Sequence, residues 1–249
     1  MNPIRSALQA ILLLAPLLAA AQEAREILER VEHNMRGHAF YAEMTMETIR
    51  PRNTVEISMR TWSLGDDYAL IHITAPELEK GTAYLKRGNE MWNYQPRIDR
   101  TVRMPPSMMS QSWMGSDFTN NDLVRGTSTV HDYHHELAGT VMVNGQECYI
   151  IDLIPYPDNP VVYDRVIYFV SREFYLPVMI ENYDEYDDLV STIHLSEIRE
   201  FNGRYFPAVM EIIPSGEEGR MTVITTHRIE FGVNITEGFF SIENLTEIN

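Results

Sequence analysis

Length, composition and charge narrow the class of protein before any motif is considered. The 249 residues are 44% hydrophobic, which is too high for a disordered chain and enough for a sizeable core. A formal net charge of -16 makes general electrostatic binding to nucleic acid or to an anionic membrane surface unfavourable. The single cysteine, Cys148, excludes an internal disulfide and a CxxC metal site, and its place in a strand-like run predicts a small buried side chain.

The first residues have the pattern of a cleavable secretory signal. Arg5 supplies a positive charge, residues 7–18 are largely apolar, and the small residues 19–21 precede Gln22. The apolar run is too short for a comfortable membrane span, and no cysteine follows the small residues as in a lipoprotein signal. We therefore predict that residues 1–21 are removed and that residues 22–249 form one soluble, exported domain.

Residues 22–36 predict an amphipathic helix. Its apolar side chains recur at helical spacing, and charged residues occupy the opposite face. Gly37 stands where such a helix would end. The apolar positions are Ala24, Ile27, Leu28, Val31 and Met35. One apolar face on a charged helix indicates packing against a broad apolar surface, for which a sheet is the obvious candidate.

From Ala39 onward, alternating apolar and polar residues predict antiparallel strands. Met44 and Met46 share one face of the first run, and Ile57 and Met59 share one face of the second. Asn-Gly pairs at 144–145 and 202–203 suit two-residue hairpin turns. Further strands are predicted at residues 68–74, 82–87, 90–94, 100–104, 130–137, 140–143, 147–154, 165–170, 176–183, 190–201, 205–213 and 220–231. Since no strand-helix-strand rhythm appears, we predict a mainly β protein with one large, curled antiparallel sheet.

The stretch from Gly81 to Asn121 changes rhythm at Pro105-Pro106. After this point the chain keeps apolar side chains but loses strand alternation, and a short helix is predicted at residues 120–124 with Thr119 as its N-cap. The apolar side chains are Met104, just before the break, and Met108, Met109, Trp113, Met114 and Phe118 after it. Because methionine is unbranched and polarizable, this cluster suits an adaptable apolar surface. Two interpretations stay open: a lid over a core, or a lid over a ligand.

Patterns typical of enzymes and metal sites are weak. The sequence HDYHH at 131–135 offers too few ligands for a zinc site, so a solvated edge strand is the favoured interpretation. The acidic residues at 181–188 lack the glycine and terminal glutamate of an EF-hand loop and predict a solvated turn. No HExxH, GxSxG or Walker A pattern occurs. We predict a protein that is not an enzyme, with no catalytic residues, metal or cofactor.

The run from Gly81 to Val124 resembles the signature region of the outer membrane lipoprotein-sorting protein family, the LolA-like group. Its strongest points are Gly81, Trp92, Tyr94, Pro96, Arg103, Pro105, Pro106 and the segment at residues 112–123. The resemblance extends more weakly through residues 143–145 and 240–245. It implies an unclosed β-barrel with helices across its mouth and an apolar cavity between them.

The same resemblance implies a function. It suggests a monomeric periplasmic carrier that binds acyl chains of lipids or lipoproteins for transport toward the outer membrane, in some members with an inner-membrane transporter of the RND type. On this hypothesis the ligand-binding residues are Met44, Met46, Ile57, Met59, Met104, Met108, Met109, Trp113, Met114 and Phe118. A latch arginine is also implied, with Arg50, Arg52, Arg60 and Arg103 as candidates. The alternative is a module that docks on an envelope transporter complex and fills its cavity with its own side chains.

Overall fold

The computed structural model describes residues 22–124, 129–157 and 162–247. The predicted signal peptide lies outside these ranges. The described chain forms a thirteen-stranded antiparallel sheet with one long helix before it and short helices after β6 and β13. The prediction of a mainly β protein built on one large antiparallel sheet is confirmed.

The strands follow the predicted alternation closely. They are β1 (Ala39–Arg50), β2 (Asn53–Leu64), β3 (Tyr68–Ala75), β4 (Ala83–Arg87), β5 (Glu90–Gln95), β6 (Arg100–Arg103), β7 (Tyr133–Val143), β8 (Gln146–Pro155), β9 (Arg165–Ser171), β10 (Pro177–Tyr183), β11 (Leu189–Phe201), β12 (Arg204–Pro214) and β13 (Met221–Phe231). The helices are α1 (22–36), α2 (Pro106–Met109), α3 (Asn120–Val124) and α4 (Ile242–Glu247). Of the short helices, α3 was predicted, whereas α2 and α4 were not.

The strand order shows that the barrel is unclosed. From edge to edge it runs β6-β5-β4-β3-β2-β1-β13-β12-β11-β10-β9-β8-β7. Strand β1 therefore lies in the middle and pairs with β13, the last strand of the chain. The two edges are β6 and β7, which are consecutive in the sequence but lie at opposite ends of the sheet. The chain between them must pass from one edge to the other.

One strand prediction was wrong in its division. Residues 130–137 and 140–143 were predicted as separate strands, but the structure has a single β7 that starts at Tyr133. The pairing with β8 shifts between Leu137 and Gly139, and Gly139 has a φ of +138°. The glycine therefore marks a bulge within the strand rather than its end, because only glycine readily adopts this backbone conformation.

Helix α1 packs on one face of the sheet, which we call the inner face. Ala24, Ile27, Leu28 and Val31 are at most 4% exposed and contact apolar residues of β8 to β11. The helix ends at Gly37, whose φ is +62° and whose N–H donates to the carbonyl of His33 at 3.1 Å. The predicted amphipathic helix, its glycine stop and its packing against a sheet are confirmed.

The opposite, outer face is covered by the C-terminal segment over β3 and β4. Phe240 and Leu245 of this segment pack against Leu70, Ala83 and Leu85. Strand β4 is consequently buried on both faces, which explains its nearly continuous burial.

Elsewhere in the sheet, Cys148 is fully buried as predicted, and burial raises the pKa of its thiol.

Candidate functional site

Residues 104–124 lie against the inner face, and we call this segment the lid. It leaves edge strand β6, contains α2 and α3, and belongs to the connection that leads to the other edge strand, β7. Its position follows from topology, because the connection has to bridge the two free edges. The lid and α1 lie against different strands of the inner face, the lid against β1 to β5 and α1 against β8 to β11.

The lid is held in shape largely by its own hydrogen bonds. The Asn120 side chain donates to the carbonyls of Met108 and Gln111 at 3.0 and 3.1 Å. The Asp122 carboxylate accepts from the Thr119 N–H at 2.7 Å, and the Thr119 hydroxyl accepts from the Asp122 N–H at 3.2 Å. This reciprocal capping agrees with the predicted N-cap of α3. Such a segment can move away from the sheet as a unit without losing these bonds.

Under the lid, β1 to β5 form the part of the inner face that we call the filled half. The sheet pairs Met44 with Met59 and Met46 with Ile57, so these four predicted residues share one face. Met46, Ile57 and Met59 are at most 5% exposed, and they form one cluster with Trp113 of the lid. Met104, Met109 and Met114 pack against the same cluster while partly buried. Most of the predicted residues are thus brought together, as lid against sheet.

Trp113 is the centre of this contact. Its side chain is 2% exposed, and its ring meets Tyr84 edge-on at a centroid distance of 5.6 Å. The indole N–H has no hydrogen-bond partner within the described residues. A buried unpaired donor costs about 1–3 kcal/mol, which the apolar contacts of the ring have to offset. Met108, by contrast, is 38% exposed and lies outside the cluster.

The remaining part of the inner face, on β8 to β12, is the open half. It borders a cavity of about 190 Å³ that is roofed by Phe118 and Asp122 of the lid. The floor consists of two adjacent cross-strand rows. One row contains Leu153, Val166, Asn182 and Ser191, and the other contains Tyr168, Ile180, Ile193 and Ile212. Phe118 is therefore placed at this cavity rather than in the filled half.

Two tyrosines of the cavity wall are strongly affected by burial. Burial raises the pKa of Tyr168 to about 12, and it also raises the pKa of Tyr163. Both side chains nevertheless keep accessible surface, and both line the cavity. We conclude that this surface faces the cavity rather than bulk solvent.

At one end of the lid, Asp117 is held by residues of the sheet. Its carboxylate accepts from both terminal nitrogens of Arg50 at 3.1 Å, from Nε of Arg220 at 2.7 Å and from the hydroxyl of Thr222 at 2.7 Å. The Asp117 side chain is 2% exposed. We call these four residues the latch. Because the carboxylate is buried and fully paired, removing it would leave two arginines without their shared counter-ion.

The latch distinguishes among the arginines considered from the sequence. Arg50 also donates to the carbonyl of Gly115 at 2.6 Å, so it contacts the lid backbone as well as Asp117. Arg103 instead pairs with Glu90 on the neighbouring edge strand. Of the four candidates, Arg50 is the one whose described hydrogen bonds reach the lid.

Comparison with known proteins connects this arrangement to a family. A protein-family model described as "Uncharacterized protein" matches residues 65–247. The chain belongs to this family, and its fold is LolA-like. A DUF1329 family protein from Desulfovibrio piger is 26% identical, with a TM-score of 0.81 over 91% of this chain and 99% of that chain. The resemblance stated from the signature region is confirmed at the level of the fold.

Two further structures support the LolA-like fold. An outer membrane lipoprotein-sorting protein domain from Vibrio parahaemolyticus is 22% identical, with a TM-score of 0.78 over 91% of this chain and 99% of that chain. A LolA superfamily protein from Nitrosomonas europaea is 21% identical, with a TM-score of 0.74 over 89% and 98%. No curated protein matches this chain.

The described ranges show neither a metal-binding group nor a membrane-spanning helix. No group of three or more His, Cys, Asp and Glu side chains there could hold a metal ion. In the HDYHH stretch, the His134 ring lies tilted against the Tyr156 ring at a centroid distance of 4.1 Å, and Nε2 of His135 bonds to the carbonyl of Thr129. Within the same ranges, no helix is both long enough and apolar enough to cross a membrane.

The cavity floor and the latch were not predicted as sites from the sequence. The floor residues have the ordinary alternation of buried strands, and Asn182 precedes an acidic turn that was interpreted as solvated. These residues line up beneath the cavity only because of the pairing register across the five strands β8 to β12, which no local pattern specifies. Asp117 lay inside the recognised signature segment, and the only available signal was a conspicuous carboxylate in an otherwise apolar and hydroxyl-rich stretch.

Proposed function

We propose that this protein is a non-enzymatic carrier or chaperone that binds acyl chains of lipids or lipoproteins under its lid. The LolA-like fold suggests such a carrier role. The observation that carries the proposal is the cavity in the open half, whose floor includes the stiff apolar side chains of Val166, Ile180, Ile193 and Ile212 and whose roof includes Phe118. This cavity adjoins a half that is already filled by the lid's own side chains.

The size of the cavity indicates that cargo binding requires the lid to move. A cavity of about 150 Å³ holds one benzene ring, so 190 Å³ accommodates a fragment of roughly eight carbons. A complete acyl chain of about 16 carbons needs more space than this. We propose that the additional space comes from the filled half, when Trp113 and its methionine neighbours leave the sheet and cargo takes their place.

This exchange is energetically reasonable. Each CH2 group removed from water contributes about 0.8 kcal/mol, so a chain that replaces the lid's apolar side chains offsets the contacts that are lost. Met44, Met46, Met59, Met104, Met109 and Met114 can repack around different shapes, because methionine has flexible and polarizable side chains. In this proposal Met44, Met46, Ile57 and Met59 on the sheet contact cargo, and Met104, Met109, Trp113 and Met114 of the lid exchange places with it. Met108, which lies outside the cluster, takes no part in the exchange.

The latch would set the condition for opening. Asp117, Arg50 and Arg220 hold the lid by charge-assisted hydrogen bonds, while the remaining lid contacts that we describe are apolar. A donor or acceptor protein that competes for Asp117 or Arg50 would release the lid without unfolding the sheet. We assign Arg50 as the latch arginine on this basis.

The route of the cargo is inferred from the fold and from the family resemblance. The LolA-like fold suggests the periplasm, and the family resemblance suggests transport toward the outer membrane with an RND-type exporter in the inner membrane as partner. The signal-like residues 1–21 agree with export. We propose this route together with the monomeric state predicted from the sequence.

Mass spectrometry of solvent extracts tests the carrier function. The protein would be purified from periplasm without detergent, and Met108→Glu, which changes an exposed lid residue, would serve as the matched control for Met109→Glu. We expect a stoichiometric lipid or acylated peptide in the wild type and in Met108→Glu, and its loss in Met109→Glu. Absence of any lipid, with no binding of an apolar dye, would instead support the docking module whose interior is self-filled.

A further inference from the structure

We propose that the cavity in the open half recognises an uncharged hydrogen-bonding group on its ligand, a hydroxyl, ester or amide, through Asn182 and Tyr168. The ligand class would then be an amphiphile whose neutral polar group enters the cavity with the first carbons of its chain. This inference rests on the proposed carrier function and specifies which ligands that function selects.

Asn182 supplies an acceptor at the cavity floor. It lies on β10 opposite Val166 of β9 and Ser191 of β11, and it is 4% exposed. Its amide nitrogen donates to the Ser191 hydroxyl at 3.0 Å, whereas its side-chain oxygen accepts no hydrogen bond from the residues described. A buried amide without its full set of partners is costly, so a purely hydrocarbon site would favour an aliphatic residue here.

Tyr168 supplies a second polar group beside it. It lies on β9 opposite Ile180, so it is a diagonal neighbour of Asn182 on the same face. Diagonal neighbours in antiparallel sheets are about 7–8 Å apart, a distance that one small polar group can span. The Tyr168 hydroxyl lines the cavity and forms no hydrogen bond with any part of the chain that is described. The pair can therefore offer one acceptor and one donor to the same ligand group.

The charges around the cavity argue against an ionic ligand group. Arg36 pairs with Asp66, and Asp117 pairs with Arg50 and Arg220 of the latch. Asp122 caps α3 through two bonds from Thr119. These are the charged side chains among the described lining residues, and each already has a partner. A phosphate here would find no free cation and would face two carboxylates, whereas a hydroxyl or ester meets no such penalty.

Displacement of N-phenyl-1-naphthylamine, an almost wholly apolar dye, tests the inference on the mature protein. The competitors are 1-octanol, methyl heptanoate and octyl phosphate, which have similar chain lengths and fit the closed cavity. The variants are Tyr168→Phe and Asn182→Leu. Tyr149→Phe is the matched control, since Tyr149 packs in the cluster under α1 without lining the cavity.

For the wild type we expect 1-octanol and methyl heptanoate to displace the dye at concentrations at least about ten-fold lower than octyl phosphate. Loss of one hydrogen bond corresponds to roughly a 2- to 12-fold weakening, so Tyr168→Phe and Asn182→Leu should each weaken 1-octanol by about that factor. Affinity for the dye should stay within about two-fold, because its contacts are apolar. Tyr149→Phe should leave every value unchanged.

The possible failures separate the inference from the carrier function. If the dye binds but octyl phosphate competes as well as 1-octanol, or if neither variant weakens 1-octanol, the polar recognition is wrong and the carrier proposal stands. If the dye does not bind to the folded wild type at all, both proposals fail. Far-UV circular dichroism of each variant shows that a loss of binding is not a loss of fold.

Discussion

The filled half and the open half of the inner face lie under the same lid, and the cavity described above lies in the open half. In the filled half, methionines from sheet and lid pack around Trp113. In the open half, the floor is made of β-branched, aromatic and polar side chains. The two halves therefore differ in the types of side chain on the sheet as well as in their position relative to the cavity.

Side-chain stiffness explains how the cavity persists. Isoleucine and valine have restricted χ1 angles, so Val166, Ile180, Ile193 and Ile212 cannot swing into the space above them. Methionine has no branch and can adapt to whatever lies opposite. A carrier of variable apolar cargo benefits from both kinds of side chain. The β-branched residues keep a first binding position open, and the methionines pack around the rest of the cargo.

The largest expected effect comes from removing the latch carboxylate. We expect Asp117→Ala to destabilise the lid-closed protein by about 3 kcal/mol, since Arg50 loses its carboxylate partner and Arg220 keeps only Glu217. Urea unfolding measures the loss. In a Trp62→Phe, Trp92→Phe background, Trp113 emission should shift to the red as the filled half opens. Glu217→Ala, which removes only the exposed partner of Arg220, should cost less than about 1 kcal/mol.

A smaller effect is expected from a charge placed at the edge of the Trp113 cluster. Met109→Glu should destabilise the closed state by about 1–3 kcal/mol, because its carboxylate would lie against apolar residues. The same change at the neighbouring, exposed Met108 should be nearly neutral. Equal losses of stability and of lipid retention in both variants would contradict the assignment of Met109 to the contact between lid and sheet.

Enlarging one side chain in each half tests the comparison directly. Ile57→Phe should cost about 1–3 kcal/mol, since Ile57 is buried in the cluster around Trp113. Ile193→Phe should cost less than about 1 kcal/mol and should weaken dye binding, because the added ring enters the cavity. Denaturant unfolding and dye titration measure the two effects. Equal destabilisation would show that the two halves are equally packed, and the reverse order would show that the open half is packed more tightly.

The smallest effect should be a loss of stability at acidic pH that arises from two histidines, one in each half of the sheet. Burial lowers the pKa of His72 on β3 and of His135 on β7, with Arg60 adding to the effect at His72 and Arg25 and His134 at His135. Below about pH 6.5 the unfolded chain takes up protons that these imidazoles resist in the folded state, so stability falls with pH.

Substitution of these histidines measures the acid effect. The free energy of unfolding of His72→Gln and of His135→Gln should depend less on pH between neutral and mildly acidic conditions than that of the wild type. His38→Gln, at an exposed position, should behave like the wild type. An unchanged pH dependence in both buried-site variants would place the acid sensitivity elsewhere.

Local sequence patterns were sufficient for the elements but not for their assembly. Alternation and Asn-Gly turns predicted the strands, and helical spacing with Gly37 predicted α1, because these signals act over a few residues. The pairing of Met44 with Met59 could be anticipated from a shared face of consecutive strands. The rows that join Asn182 to Ser191 and Val166 could not, since they depend on registers set between separate hairpins.

The latch illustrates the same limit in another way. Arg50 and Asp117 are 67 positions apart, and Arg220 is a further 103 from Asp117. The family resemblance pointed to an arginine but left four candidates, because charge pairing across the sheet leaves no periodic trace in the sequence. The predicted break between residues 137 and 140 was wrong for a different reason, since the pairing of β7 with β8 continues across it with a bulge.

The pairing of β1 with β13 also has a consequence for how the molecule is made. Residues 39–50 leave the ribosome early, but the strand that completes their hydrogen bonding, 221–231, is among the last to be synthesised. Until then the hairpins on either side can form only as two separate ribbons with their apolar faces uncovered. Contacts this distant in sequence slow folding, so we expect the two ribbons to expose their apolar faces until residues 221–231 are available.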